Sequence, residues 1–289
     1  MTRRDIITAV PVAFHDDGTL DLEGSREILR YVAASGNEGA FVLGTTGEFP
    51  ALSFEERGQL TALSLEELGG TMRVIVHVGA PSLYEVLRLV DQARELGATE
   101  IAVLTPYYLP SDDATLLDFY TAVDAAATGL SVFVYVYRKR SGNFVSVELM
   151  AELAKLPSVV GVKVSEEPLD LIARYREVVP ADFLIYTGAD AELVGAAAAG
   201  AQGVISGVSS VFPKPFRALA AAAETGDPGR IEAAQADVDT VVSAIAGDMG
   251  RMKAAYRELG VRGGTTRMAI KRPTPEVLAE IARITPVYR

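Results

Sequence analysis

The spacing of apolar positions along the chain switches repeatedly between two periods. Short runs rich in valine, isoleucine and aromatic residues fall near 6–14, 39–44, 73–79, 100–106, 130–137, 159–165, 182–188 and 203–209. Between them, at 24–35, 53–68, 82–96 and 146–156 among others, apolar residues recur every three or four positions, the spacing of one helix face. Several of these segments open on a serine, whose oxygen can accept from the free amides of a first helical turn, with glutamate close behind. Ser53-Phe54-Glu55-Glu56 has the layout of a capping box.

Eight strands, each followed by a helix at a repeat of roughly 25–35 residues, predict an α/β protein of the closed (β/α)8 TIM-barrel class. An open doubly wound sheet shares the alternation but usually has fewer strands, and no Gly-x-Gly-x-x-Gly follows the first strand here. Beyond the eighth strand the pattern is helical only, from about 213 to 285, with a heptad-like run at 231–246. Additional C-terminal helices are therefore expected. The division that follows is a barrel catalytic domain over 1–225 and a helical extension over 226–289 packed on it.

Composition removes several function classes. At 289 residues the chain can bury a large core without staples. It has no cysteine, which excludes thiol catalysis, a disulfide framework and cysteine-ligated zinc. The net charge of −11 argues against nucleic acid or an anionic membrane as partner. The weakly charged stretch 193–212 is broken by glycine, serine and Gln202 and makes a poor membrane span. The first residues have two arginines and a short apolar run that ends in acidic residues with no small-residue cleavage site, so a cytoplasmic protein is expected.

Strand parity then locates the chemistry. In Val159-Val160-Gly161-Val162-Lys163-Val164-Ser165, residues 160, 162 and 164 form an apolar face for the outer helices. Gly161, Lys163 and Ser165 then point inward, and Lys163 lies toward the carboxyl end of its strand, where barrels of this class place their active sites. The chain has six lysines, and Lys163 alone falls inside a predicted buried strand. Burial disfavours an ammonium ion, so the neutral amine becomes available to attack a ketone. The alternative is a snorkelling or ion-paired structural lysine. His15 and His77 are the only histidines and share no ligand spacing, so no metal and no cofactor are expected, and both are read as structural.

Two further segments stand beside Lys163 in this scheme. Gly44-Thr45-Thr46-Gly47-Glu48, after the second strand, offers adjacent hydroxyls and amides that can hold a carboxylate, although by itself it could be a simple turn. In the fifth strand Phe133, Tyr135 and Tyr137 share one face, which brings two phenols inward on the strand next to Lys163. A phenol beside an amine can shuttle the proton of carbinolamine chemistry, while the other tyrosine serves packing. The run Arg138-Lys139-Arg140 follows directly, either as a solvated loop or as an anion-binding mouth.

With GTTGE at 44–48, TPYY at 105–108, Tyr135, GVK at 161–163, TGAD at 187–190 and GVIS at 203–206, the chain resembles the dihydrodipicolinate synthase and N-acetylneuraminate lyase superfamily of class I pyruvate-dependent aldolases. The resemblance spans about 6–212 and continues more faintly to the end; the 28-residue step from Tyr135 to Lys163 is part of it. It implies a Schiff base on Lys163, Tyr135 as catalytic tyrosine, and Thr45 and Thr46 as binders of the keto-acid carboxylate, with Thr46 in the proton relay. It implies that Tyr108 is lent across a subunit interface, that Gly188 and Ile205 line the substrate pocket, and that Arg140 binds the carboxylate of a second substrate. Tyr137, inward on the face of Tyr135, is expected to shape that pocket. The expected partners are a small 2-keto acid and an anionic second substrate, within a homotetramer built as a dimer of dimers.

The chain departs from the family at Tyr135-Val136-Tyr137-Arg138, where relatives have Tyr-Asn-x-Pro. Tyr137, 26 residues before Lys163, and Gly47-Glu48-Phe49 also fit the 5-dehydro-4-deoxyglucarate dehydratase branch. Condensation of the dihydrodipicolinate synthase type is the first expectation, cleavage of a 2-keto-3-deoxy sugar acid the second and dehydration the third. A non-catalytic keto-acid-binding barrel is the contrasting class; it would need neither the amine nor the phenol.

Overall fold

The structure is a computed structural model that describes residues 4–289. Eight strands, β1 (Asp5–Ala9), β2 (Gly39–Val42), β3 (Arg73–His77), β4 (Glu100–Leu104), β5 (Ser131–Val136), β6 (Val159–Val164), β7 (Leu184–Thr187) and β8 (Gly203–Ser206), form a closed barrel in sequence order. The helices between them are α1 (Leu22–Ala33), α2 (Phe54–Leu68), α3 (Leu83–Glu95), α4 (Asp113–Ala126), α5 (Arg138–Ser141), α6 (Val147–Leu153), α7 (Leu169–Val178) and α8 (Leu193–Ala198). After β8 come α9 (Val208–Val211), α10 (Pro213–Thr225), α11 (Pro228–Ile245), α12 (Met249–Glu258) and α13 (Pro275–Tyr288). Among the described residues no helix is long and apolar enough to cross a membrane.

The caps that the sequence announces are formed. Ser53 accepts from the Glu56 amide at 3.1 Å while the Glu56 carboxylate accepts from the Ser53 amide at 2.9 Å, a complete capping box. Ser82 and Ser146 cap α3 and α6 more simply, their side chains accepting from the Glu85 and Leu149 amides. The first helix begins at Leu22 rather than 24, because Asp21 takes the cap and accepts from the Gly24 amide. The first strand is shorter than its apolar run. Pro11 lacks the amide that would extend the ladder, and Phe14 instead makes isolated antiparallel bridges with Leu20 and Thr265. The basic run after β5, expected as a loop, is the helical turn α5.

Backbone contacts divide the chain into two compact units. The first takes the residues up to Val74 together with Ile205–Arg289. In it α1 packs on α2, α10 on α11 and α12 on α13. Tyr256 of α12 meets Tyr31 of α1 edge-on at 5.7 Å, and their hydroxyls donate to the Ser210 and Val211 carbonyls of α9 at 2.8 and 2.9 Å. The second unit is Ile75–Val204, in which β4 through β7 pair in parallel register. Val132, Val134, Val162 and Ile185 are fully buried, and each contributes roughly 1.5–3 kcal/mol relative to exposure.

Candidate active site

Register in β5, β6 and β7 sets Lys163 beside Tyr135 on one side and Tyr186 on the other. The Lys163 Nζ lies 4.3 Å from the centre of the Tyr135 ring, and the side chain is only 5% exposed. Burial pushes its pKa down to about 7, against an opposing pull from the Asp190 charge. The neutral amine is therefore accessible near neutral pH. Gly161, two residues earlier, cannot be replaced without movement: a Cβ there would sit 2.5 Å from the Leu184 carbonyl oxygen and 2.5 Å from the Phe133 ring. The Phe133 ring fills the space that the glycine leaves beneath Lys163.

Tyr135 is buried, with its ring edge-on to His77 at 5.8 Å and 6.1 Å from the ring of Tyr137. His77 is fully buried at the end of β3, whereas His15 is largely exposed, with Nε2 3.9 Å from the Asp21 carboxylate. Tyr137 donates its hydroxyl hydrogen to the Glu166 carboxylate, and Arg140 Nε donates to the Tyr137 oxygen at 3.5 Å. Burial, and then the bond to Glu166, pushes the Tyr137 phenol up to about 12. Arg140 also covers the Tyr137 ring at 5.8 Å.

The three basic residues after β5 therefore face different ways. Arg140 joins Tyr137, Lys139 pairs with Glu166 at 3.0 Å, and Arg138 lies over the Phe144 ring at 5.2 Å. Glu166 is the member that the sequence did not reveal. It sits just past β6 with a left-handed φ of 55°, and its bond from Tyr137 holds its carboxyl below the usual range. Gly188 lets the ends of β6 and β7 approach each other: a Cβ on it would be 2.1 Å from the Ser165 hydroxyl.

In the other unit, Gly44-Thr45-Thr46-Gly47 forms a turn in which the Gly47 amide donates to the Gly44 carbonyl and the Glu48 amide to the Thr45 carbonyl, both at 3.0 Å. Thr45 and Thr46 are half-buried. The Thr46 hydroxyl lies against Gly207, just past β8, in which Ile205 is buried. Glu48 turns inward with a left-handed φ of 54° and is fully buried. Its carboxylate accepts from Lys253 Nζ at 2.6 Å and from the Arg267 and Met268 amides at 2.9 and 2.7 Å. No local pattern announces this pair, whose members are 205 positions apart.

Lys163, Tyr135, Tyr137, Arg140 and Gly188 are thus gathered within one unit, and Thr45, Thr46 and Ile205 belong to the other. Tyr108 joins neither group. It projects from the segment after β4, 92% exposed, with a left-handed φ of 82°. Among the described residues no group of three or more His, Asp or Glu side chains is arranged to hold a metal.

A closed parallel barrel with a buried amine beside a phenol at the carboxyl ends of its strands is the arrangement of a barrel enzyme. The chain belongs to the dihydrodipicolinate synthetase family, which it matches over residues 2–283, and it is a lyase of that type. It is 34% identical to an uncharacterized DapA-like lyase of Halobacterium salinarum, over 89% of this chain and 84% of that protein. It is 30% identical to the 4-hydroxy-tetrahydrodipicolinate synthase of Moorella thermoacetica, over 96% and 95% of the two chains. The structure of dihydrodipicolinate synthase from Thermotoga maritima superposes with a TM-score of 0.91 at 30% identity, covering 100% of this chain and 99% of that one.

Proposed function

We propose that this protein forms a Schiff base between Lys163 and pyruvate or a pyruvate-derived 2-keto acid, and uses it to make a bond to a second, anionic substrate. The observation that carries this reading is the buried Lys163 amine, its pKa lowered to about 7, beside the Tyr135 ring. In the proposed reaction the neutral amine adds to the ketone, and loss of water leaves an iminium. The iminium withdraws electrons from the neighbouring carbon, which loses a proton to give an enamine. The enamine attacks the carbonyl of the second substrate, and hydrolysis returns the amine. Thr45 and Thr46 hold the keto-acid carboxylate in this reading, Gly188 and Ile205 line the pocket, and no metal or cofactor takes part.

Incubation with pyruvate and borohydride, followed by peptide mapping, tests the proposal. The expected result is one reduced adduct, on Lys163. An adduct on Lys139, or none, defeats it.

Tyr135 is the better candidate for the proton carrier. Tyr137 already donates to Glu166, and its raised pKa makes it a poor acid near neutrality. Losing a general acid typically costs ~100- to 10,000-fold. Tyr135→Phe is expected to lower kcat by at least about the smaller factor, and Tyr137→Phe to act mainly on KM. The reverse result assigns the enzyme to the dehydratase-like branch.

Arg140 is proposed to grip the carboxylate of the second substrate, since a guanidinium can make two parallel bonds that lysine cannot reproduce. Arg140→Lys is expected to raise the KM for an anionic aldehyde by an amount worth roughly 1.5–3 kcal/mol, with pyruvate trapping unchanged. Equal rates for anionic and neutral aldehydes in wild type and Arg140→Ala would remove this role. Glu166 supports a second reading, a 2-keto-3-deoxy sugar acid as substrate, because a carboxylate beside Tyr137 can accept from sugar hydroxyls. Release of pyruvate from a panel of sugar acids separates the two.

The proposed assembly is a cytoplasmic homotetramer built from dimers, with Tyr108 reaching a neighbouring subunit's site. The exposure of Tyr84, Tyr108 and Leu109 supports a contact surface there. Light scattering that finds a fully active monomer at micromolar concentration refutes it.

A further inference from the structure

A cavity of about 690 Å3 lies against α12, the 262–266 segment and the start of α13. We propose that it binds a small, multiply charged anion, carrying phosphoryl or several carboxylate groups, through Arg257, Arg262 and Arg272. The volume is within the range of ligand pockets. Its lining includes Lys253 and these three arginines, with Asp16 the one acid. Residues 249–289 have nine basic and three acidic side chains, a local charge of +6 in a chain of net charge −11. Such a reversal gathers anions from solution to this end of the molecule.

The arginines retain unused hydrogen-bonding capacity. Arg257 gives one Nη1 hydrogen to the Gly264 carbonyl at 2.8 Å, which fixes the guanidinium against the loop and leaves its other hydrogens for a ligand. Arg262 has only loose pairs, 3.7 Å to Asp21 and 3.4 Å to Glu27, and both are weak at a half-exposed site. Arg272 makes no ion pair among the described residues. Lys253 is different: its charge is already committed to Glu48, so it forms wall rather than ligand contact.

Two positions of the loop, Gly263 and Gly264, are bare backbone by necessity. A Cβ on Gly263 would lie 2.4 Å from the Lys253 carbonyl oxygen, and Gly264, at φ +64°, has Phe14 backbone atoms 2.7 Å from the same position. With the Thr265 and Thr266 side chains this gives a small polar wall facing arginines. Arginine forks match phosphoryl and carboxylate oxygens in pairs. This proposal stands apart from the chemistry assigned to Lys163.

Isothermal titration calorimetry of the full-length protein with inorganic phosphate and, separately, with citrate tests it, against sodium chloride at matched ionic strength. Saturable binding of either anion at one site per chain is expected, with phosphate alone pointing to phosphoryl ligands and citrate alone to polycarboxylates. The Arg257→Gln/Arg272→Gln double variant should bind at least about tenfold more weakly, as expected for loss of charge-assisted bonds, with unchanged melting temperature and pyruvate trapping. Should that variant fail to fold, Arg272→Gln alone, at an exposed position, replaces it. Absence of saturable binding by both anions, or affinity unaltered by the substitutions, overturns the proposal.

Discussion

Lys163→Met is expected to abolish both the pyruvate adduct and turnover while making the protein more stable. The two effects have one cause. A lysine with an ordinary pKa of 10.5 in the unfolded chain and about 7 in the folded one pays for burial of its charge. The difference corresponds to roughly 4–5 kcal/mol wherever both states are protonated. That penalty is fully present below pH 7. It declines as pH rises from 7 toward 10.5, where the amine is neutral in both states. Methionine has similar length and no charge, so its stabilising effect should be large at pH 6 and small near pH 10, which melting curves at the two pH values measure. The adduct has a matching dependence in the wild type. Its rate of formation should climb with the neutral amine through a midpoint near 7 and then level off. A midpoint near 10, with no stabilisation by methionine at pH 6, would mean that Lys163 is solvated and that the catalytic proposal lacks its nucleophile.

The inward orientation of Lys163 was legible because β strands alternate and the flanking valines leave little choice of face. Gly161 was legible as an inward glycine for the same reason, but what it makes room for, the Phe133 ring on the adjacent strand β5, was not. The serine caps of α2, α3 and α6 were legible from a few adjacent residues. Strand ends were less so. Apolar content continues through Val10 to Phe14, but the ladder does not, since Pro11 cannot donate and Phe14 faces the 265 segment.

The parts of the site that escaped the sequence depend on contacts between distant positions or on unusual backbone. Glu166 adopts a left-handed φ without being glycine, and its value to Tyr137 arises only when β5 and β6 lie side by side. In composition the run 138–140 is three basic residues, and only the family resemblance set Arg140 apart from the other two. Folded, it is one helical turn whose members meet Phe144, Glu166 and Tyr137 separately. Side-chain direction around a single turn of helix distributes them, and charge counting cannot see that.

The second large effect concerns Glu48 and Lys253, which are 0% and 1% exposed at the side chain. Removing one member of a buried pair leaves the other charge without compensation and typically costs ~3–5 kcal/mol. Lys253→Met is therefore expected to lower stability by about that amount in urea denaturation. Glu48→Leu should be worse than Glu48→Gln, because the Arg267 and Met268 amides also need an acceptor and glutamine can supply an oxygen. The double variant Glu48→Gln/Lys253→Met removes both charges, keeps that oxygen, and should recover part of the loss of Lys253→Met. The cycle built from these variants measures the coupling directly. A functional consequence accompanies it. Glu48 is the last residue of the turn that presents Thr45 and Thr46, and its amide donates to the Thr45 carbonyl. If those hydroxyls hold the keto-acid carboxylate, variants that stay folded should show a raised KM for pyruvate with a smaller change in kcat. A Lys253→Met protein as stable as the wild type would show that the pair is dispensable to the fold. Lost stability with unchanged KM would instead separate the pair from the carboxylate site and leave it as a brace of the C-terminal helices alone.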